Sequence, residues 1–290
     1  MNVVIYFYMG TEVETGRRYG GLGIALLRAL AEQERSTFSV ADAREAGRTV
    51  GVAESYMNVL LHRLQRAGFI RRLKHGTYAL ATGLPGFPEA HPFALGMALV
   101  QPSAISGWAA LNHHGLTDQI PRVITLTTPK RVVTPAMRGA VRTAPSIWEA
   151  GGQTFEIVTV IPDHFFGDEE IWLGESRVRV FDRERALLDC FALPRLFGGI
   201  AEGLGILDDH LQQLDAKRLV AHAQRYGKAA VARRVGYALE HVGAAPEIVK
   251  PLRAVPMQGV RPLDPTRFPR GNRNRNWGLI ENLAPSRKPR

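Results

Sequence analysis

AESYMNVLLHRLQRAGFIRRLKHGTYAL, residues 53–80, is the stretch on which the reading of the fold turns. Met57, Leu60, Leu61 and Leu64 recur at i, i+3, i+4 and i+7, a spacing that gathers apolar side chains on one helical face. Gly68 stops that helix. At about 100° per residue, Ser55, Asn58, His62 and Arg66 fall opposite the stripe, with Tyr56 and Arg63 on its flanks. Such a face is either merely solvated or fitted to a groove. The next residues favour the groove: 69–73 and 77–80 are short β-prone runs joined through the basic turn Lys74-His75-Gly76, a hairpin signal. No acidic residue occurs from Ser55 to Leu80. A hairpin carrying Arg71, Arg72, Lys74 and His75 would lay cations beside whatever the helix touches, and phosphate is the natural partner.

Working outward, residues 22–34 predict a first helix with Leu22, Leu26, Ala29 and Leu30 on one side. Ser36-Thr37-Phe38 is a brief extended segment, and Ser39 is a good N-cap for a second helix over residues 40–46, closed by Gly47. Helix, short strand, helix, turn, helix, strand, strand is the winged variant of the helix-turn-helix, whose last helix enters the major groove.

Charge follows this division. The net charge is +10 over 290 residues. Residues 17–80 hold 11 Lys/Arg against 5 Asp/Glu, and residues 267–290 hold 7 against 1, whereas residues 81–266 hold 19 of each. The excess therefore sits at the ends, as expected if only they meet nucleic acid. A lone cysteine, Cys190, in the mostly apolar run 186–193, rules out an intrachain disulfide and a four-cysteine zinc site, and reads as a buried structural thiol. The apolar run at residues 3–9 is too short to span a bilayer and has no basic residue before it. A cytoplasmic protein is expected, with Met1 or Met9 as the start.

The Gly- and Pro-rich residues 81–90, ATGLPGFPEA, read as a linker. Beyond it the sequence predicts helices over 94–99, 107–114 (capped by Ser106), 183–191 (capped by Asp182), 204–214 and 216–239, and strands over 123–127, 155–160 and 177–181. The expected organisation is an N-terminal extension (1–20), a winged helix-turn-helix domain (21–80), the linker (81–90), a larger mixed α/β domain (91–266) and a basic C-terminal tail (267–290).

Other constellations have structural explanations beside the chemical ones. His113-His114 suggests metal or acid–base chemistry, but adjacent histidines diverge around a helix and no further ligand lies at a regular spacing. Asp182, Glu184 and Asp189, with Asp163, Asp168 and Glu175 nearby, are the residue types a metal-dependent nuclease needs. Carboxylates at a helix start also serve as caps and complement its dipole. The glycines at 198–199 and 203–205 lack the Gly-Lys-Ser/Thr of a phosphate loop, so no cofactor is expected. Arg270, Arg273 and Arg275, with Arg267, precede Trp277: either a nucleic-acid arm with arginines on phosphates and the indole stacking, or a solvated tail whose residues 277–280 pack back on the domain.

RRLKHGTYAL (71–80), ISGWAALNHHGLTDQIP (105–121), VRVFDRERALLDC (178–190) and NWGLIEN (276–282), in this order, resemble the AbiEi family of antitoxins, transcriptional regulators of type IV toxin-antitoxin (abortive infection) systems. The resemblance implies a non-enzymatic repressor that binds inverted repeats at its own promoter through the winged helix. It further implies a C-terminal domain that counteracts a nucleotidyltransferase-like toxin without a stable complex. A solitary regulator with no toxin partner would carry the same residues, and a nuclease targeted by a winged helix is the enzymatic alternative.

Overall fold

The computed structural model describes residues 16–81, 83, 85–87, 89–138, 146–256 and 258–283. Most of the expected N-terminal extension, with the choice between Met1 and Met9, lies outside the described residues. The chain divides into a first unit of residues 1–99 with 173–176, and a second of residues 100–172 with 177–290.

In the first unit, α1 (Gly16–Glu32) precedes β1 (Thr37–Ser39), α2 (Val40–Thr49), a 3-10 turn (Glu54–Tyr56), α3 (Met57–Arg66), the hairpin β2 (Ile70–Lys74) and β3 (Thr77–Leu80), and α4 (Pro92–Leu99). The strands form an antiparallel sheet in the order β1-β3-β2, the winged-helix arrangement. Leu26, Leu27 and Leu30 of α1 meet Met57, Leu60, Leu61 and Leu64 of α3 in one core, joined by Phe38, Ile70 and Leu80 from the sheet.

Ser39 caps α2 as expected, within a full capping box: its hydroxyl accepts from the Asp42 amide at 3.1 Å, and Asp42 accepts from the Ser39 amide at 2.7 Å. Gly47 does not end this helix, which continues to Thr49. A Cβ at Gly47 would collide with the Met57 side chain, so this glycine lets α2 and α3 approach. Gly51, at φ +78°, makes the turn instead.

Residues 94–99, expected to open the second domain, group with the first. α4 (PFALGMAL) is apolar nearly all round and packs on β1, β2 and β3. Leu73 and Ala79 are buried outside the α1–α3 core, so α4 supplies the cover for the other face of the sheet.

The second unit is built on a mixed six-stranded sheet: β4 (Ala104–Ser106), β5 (Val123–Thr128), β6 (Ile147–Ala150), β7 (Gln153–Thr159), β8 (Asp168–Leu173) and β9 (Ser176–Phe181), in the order β6-β7-β5-β4-β9-β8. β5 runs parallel to β7 and antiparallel to β4, and β4 pairs parallel with β9. α5 (Gly107–His113) follows β4. After β9 come α6 (Arg183–Ala192), α7 (Ala201–His210), α8 (Ala216–Tyr226), α9 (Ala229–His241) and α10 (Pro246–Arg253). Ser106 does not cap α5; its hydroxyl lies 2.8 Å from that of Thr127 in the buried sheet. The single helix expected over 216–239 is two, because Gly227 at φ +73° ends α8 in a left-handed turn.

The basic tail is not a tail over residues 267–283. β10 (Arg261–Pro262), β11 (Asn272–Asn274) and β12 (Leu279–Glu281) form a small sheet in the order β10-β12-β11. Trp277 is fully buried, with its ring against Gly236 of α9 and its indole N–H donated to Glu240. A stacking role for this indole is thereby overturned: the packed alternative holds.

Candidate nucleic-acid interface

With Met57, Leu60, Leu61 and Leu64 turned into the core, α3 must present its other face outward. Asn58, His62 and Arg66 are exposed there, as the periodicity requires, and Ser55 is exposed in the 3-10 turn that precedes the helix. Arg63 lies at the flank, where its guanidinium donates to the Tyr56 hydroxyl at 3.0 Å and sits 5.9 Å from that ring. That contact spans two turns of helix and stiffens an otherwise flexible cation. Val59 occupies the middle of this polar face, 46% exposed. Reading the periodicity alone passes over it, although an apolar residue standing off the buried stripe is a visible signal.

The hairpin comes directly after α3. Gly76 takes φ +69° in the turn, and a bulge falls between Arg72 and Lys74. Arg72 is directly opposite Tyr78, whose ring stacks on Phe38 of the helical core; Arg71 is opposite Ala79, on the α4 side. Of the two arginines, Arg72 is therefore on the sheet face shared with the helices. Its guanidinium donates to the Lys74 carbonyl at 3.3 Å and to the His75 ring at 3.0 Å, so the exposed turn residues Arg72 and His75 form one group. Lys74 differs from expectation. Its ammonium is half-buried and donates to the Leu99 carbonyl at 2.8 Å, and burial lowers its pKa. The bulge and the cover by α4 turn this side chain inward, which no local pattern reveals.

In the second unit each carboxylate of the cluster at 182–189 has a protein partner. Asp182 caps α6 through the Arg185 amide at 2.7 Å and accepts from His222 and Arg218, each at 2.9 Å. Glu184 accepts from the Asp215 amide at 2.9 Å. Asp189 is fully buried against Arg185, whose guanidinium lies 4.4 Å from the Phe181 ring centre and 5.0 Å from that of Phe166. Burial raises the Asp189 pKa against the opposing pull of Arg185. His114 is held 2.7 Å from the Phe181 carbonyl. Among the described residues no cluster of three His, Cys, Asp or Glu side chains is arranged to hold a metal ion. Cys190 is buried, and burial pushes its thiol pKa well up. No described helix is long and apolar enough to cross a membrane. Arg270, Arg273 and Arg275 are exposed on and beside β11.

No curated protein matches this sequence. The crystal structure of RV2827C protein from Mycobacterium tuberculosis has a similar fold, with a TM-score of 0.60 at 17% identity over 91% of this chain and 92% of that one. Residues 25–81, from within α1 to the end of the hairpin, match the family model described as "Transcriptional regulator, AbiEi antitoxin", so the N-terminal module is similar to that family over this stretch.

Proposed function

We propose that the chain is a DNA-binding transcriptional repressor and the antitoxin of a type IV toxin-antitoxin system. The family match supports a regulator or antitoxin role in general. One observation supports the DNA-binding part: Asn58, Val59, His62 and Arg66 share the outward face of α3, with Ser55 exposed in the 3-10 turn before it and Arg72 and His75 on the hairpin beyond it. A helix of this composition suits the major groove, where Asn pairs with adenine and Arg with guanine or phosphate. The hairpin then supplies backbone contacts that fix register. The engaged carboxylates of residues 182–189 favour a non-enzymatic second unit over the nuclease alternative. On this reading the second unit opposes a nucleotidyltransferase-like toxin, and the operator is an inverted repeat at the chain's own promoter.

Binding of the full chain to the DNA upstream of its gene is the direct test, paired with survival of cells expressing a neighbouring nucleotidyltransferase-like gene. Asn58→Ala with His62→Ala should abolish preference for the promoter yet leave protection intact. Metal-dependent cleavage of nucleic acid by the wild type, lost on changing Asp182 and Glu184, would overturn the reading. Protection lost together with DNA binding would overturn the division of roles.

A further inference from the structure

Phe268 leaves 84% of its surface in solvent, at the tip of a segment that is not loose. The buried Asp264 accepts from the Thr266 amide at 2.8 Å and the Thr266 hydroxyl at 2.6 Å, and pairs with the Arg267 guanidinium at 3.4 Å. On the other side the buried Asn282 donates its side-chain amide to the carbonyls of Asp264, Phe268 and Arg267 at 2.7, 3.2 and 3.4 Å. The Arg270 amide closes back on the Phe268 carbonyl at 2.8 Å, across Pro269. The backbone under the ring is therefore clamped by two buried polar residues while the ring itself projects into water. Holding an apolar ring outward in this way gives the fold nothing, whereas a ring already ordered binds a flat partner at a smaller entropic cost.

The surroundings specify the partner's charge. Arg267, Arg270, Arg273 and Arg275 are exposed and lie within seven residues of Phe268 in the sequence, and residues 265–280 contain no acid. Among the described residues the guanidinium groups of Arg270, Arg273 and Arg275 make no ion pair or side-chain hydrogen bond. The nearby carboxylate of Glu281 is taken by Asn274 at 3.0 Å, and that of Glu240 by Arg253 and Trp277. A planar apolar ring among uncommitted arginines matches a base with phosphates on either side. A duplex hides its base faces in the stack, whereas a single strand offers them.

We infer that this loop of the second unit binds single-stranded nucleic acid, one base stacking on Phe268 and the adjoining phosphates lying on Arg270, Arg273 and Arg275. The site uses none of the α3 residues and stands whether or not that face reads an operator. RNA and single-stranded DNA share the chemistry, so both serve as probes. The experiment is fluorescence anisotropy of the full chain with short labelled oligo(U), oligo(dT) and a duplex of equal length. The background carries Arg63→Ala and Arg66→Ala to silence the winged helix. Phe268→Ala should weaken single-strand binding by about 5- to 100-fold, while Phe268→Tyr stays within about two-fold. Changing Arg270, Arg273 and Arg275 to Gln should flatten the slope of log affinity against log salt by about 2. Tighter binding of oligo(U) assigns RNA, tighter oligo(dT) assigns DNA, and equal binding supports the shared chemistry. Phe268→Ala binding like the parent, or a duplex binding as tightly as the single strands, would overturn the proposal.

Discussion

The ammonium of Lys74 donates to the carbonyl of Leu99 at 2.8 Å, so the hairpin lysine closes the C-terminal end of α4. A cation there satisfies an orphan helix carbonyl and complements the dipole. Lys74→Met, which keeps the aliphatic stem, should therefore cost about 1–2 kcal/mol of stability, seen as a lower melting temperature. It should leave the salt dependence of DNA binding unchanged. Arg72→Ala should do the reverse, flattening the slope of log affinity against log salt by about 0.9 with little effect on melting. An altered slope in the Lys74 variant would return that side chain to the phosphates.

Val59 among Ser55, Asn58 and His62 makes a more specific prediction. An exposed valine gains nothing from water, but its methyl groups suit the C5-methyl of thymine, next to an adenine read by Asn58. Duplexes selected from a random pool by the full chain should carry such an A/T step. Replacing that thymine by deoxyuridine should weaken binding by about 1 kcal/mol, and Val59→Ser should remove the difference between the two duplexes. Asn58→Ala should relax preference at its own position by about 1–3 kcal/mol while retaining non-specific affinity. Unchanged discrimination in all these variants would mean that α3 lies outside the groove.

The α3 face is legible in the sequence because its pattern is local: a strict apolar stripe fixes which residues must point outward. Asp182 likewise announces itself as a cap, and β5 as a strand, from neighbours in sequence. The features that escape prediction depend on partners far along the chain. Gly47 reads as a helix stop until Met57 is placed against it. Residues 94–99 read as the start of a new domain, because nothing local says that Leu73 and Ala79 need cover. For Trp277 the sequence leaves stacking on a base and packing back on the domain both open, since its acceptor, Glu240, is 37 residues away. With Trp277 buried, the exposed ring among the arginines is Phe268.

Asp182 gives a pH-dependent test. Burial opposes its ionisation, but the hydrogen bond from His222, the Arg185 amide and the charge on Arg218 outweigh that and hold its pKa below the ordinary carboxylate value. A group whose folded pKa is depressed contributes stability above its unfolded pKa, about 3.9, and loses it as pH falls through the folded value. Asp182→Asn keeps the cap and removes the charge. Near neutral pH it should cost about 1–2 kcal/mol, a figure kept small because Arg218 is half exposed. Urea unfolding at a series of pH values should show the gap between wild type and variant closing below about pH 4. A gap that persists into stronger acid would assign the loss to packing.

The indole of Trp277 rests on Gly236, where a Cβ would overlap its six-membered ring. Trp277 also donates to Glu240 and lies under Arg253, 5.1 Å from the ring centre, so it anchors the small C-terminal sheet to α9. Overpacking at Gly236→Ala should cost about 1–3 kcal/mol, partly offset by the roughly 1 kcal/mol that alanine gains over glycine in a helix. Trp277→Phe alone should cost about 2 kcal/mol through the cavity and the lost indole donor. Because the smaller ring vacates the space that the new methyl group needs, the double variant should lose less than the two single losses combined, by about 1 kcal/mol or more. Chemical unfolding of the four proteins measures that coupling. Losses that add within about 0.5 kcal/mol would mean that the indole does not rest on Gly236. If it does, loosening it in Trp277→Phe should also weaken single-strand binding at Phe268, which sits in the segment the anchored sheet supports.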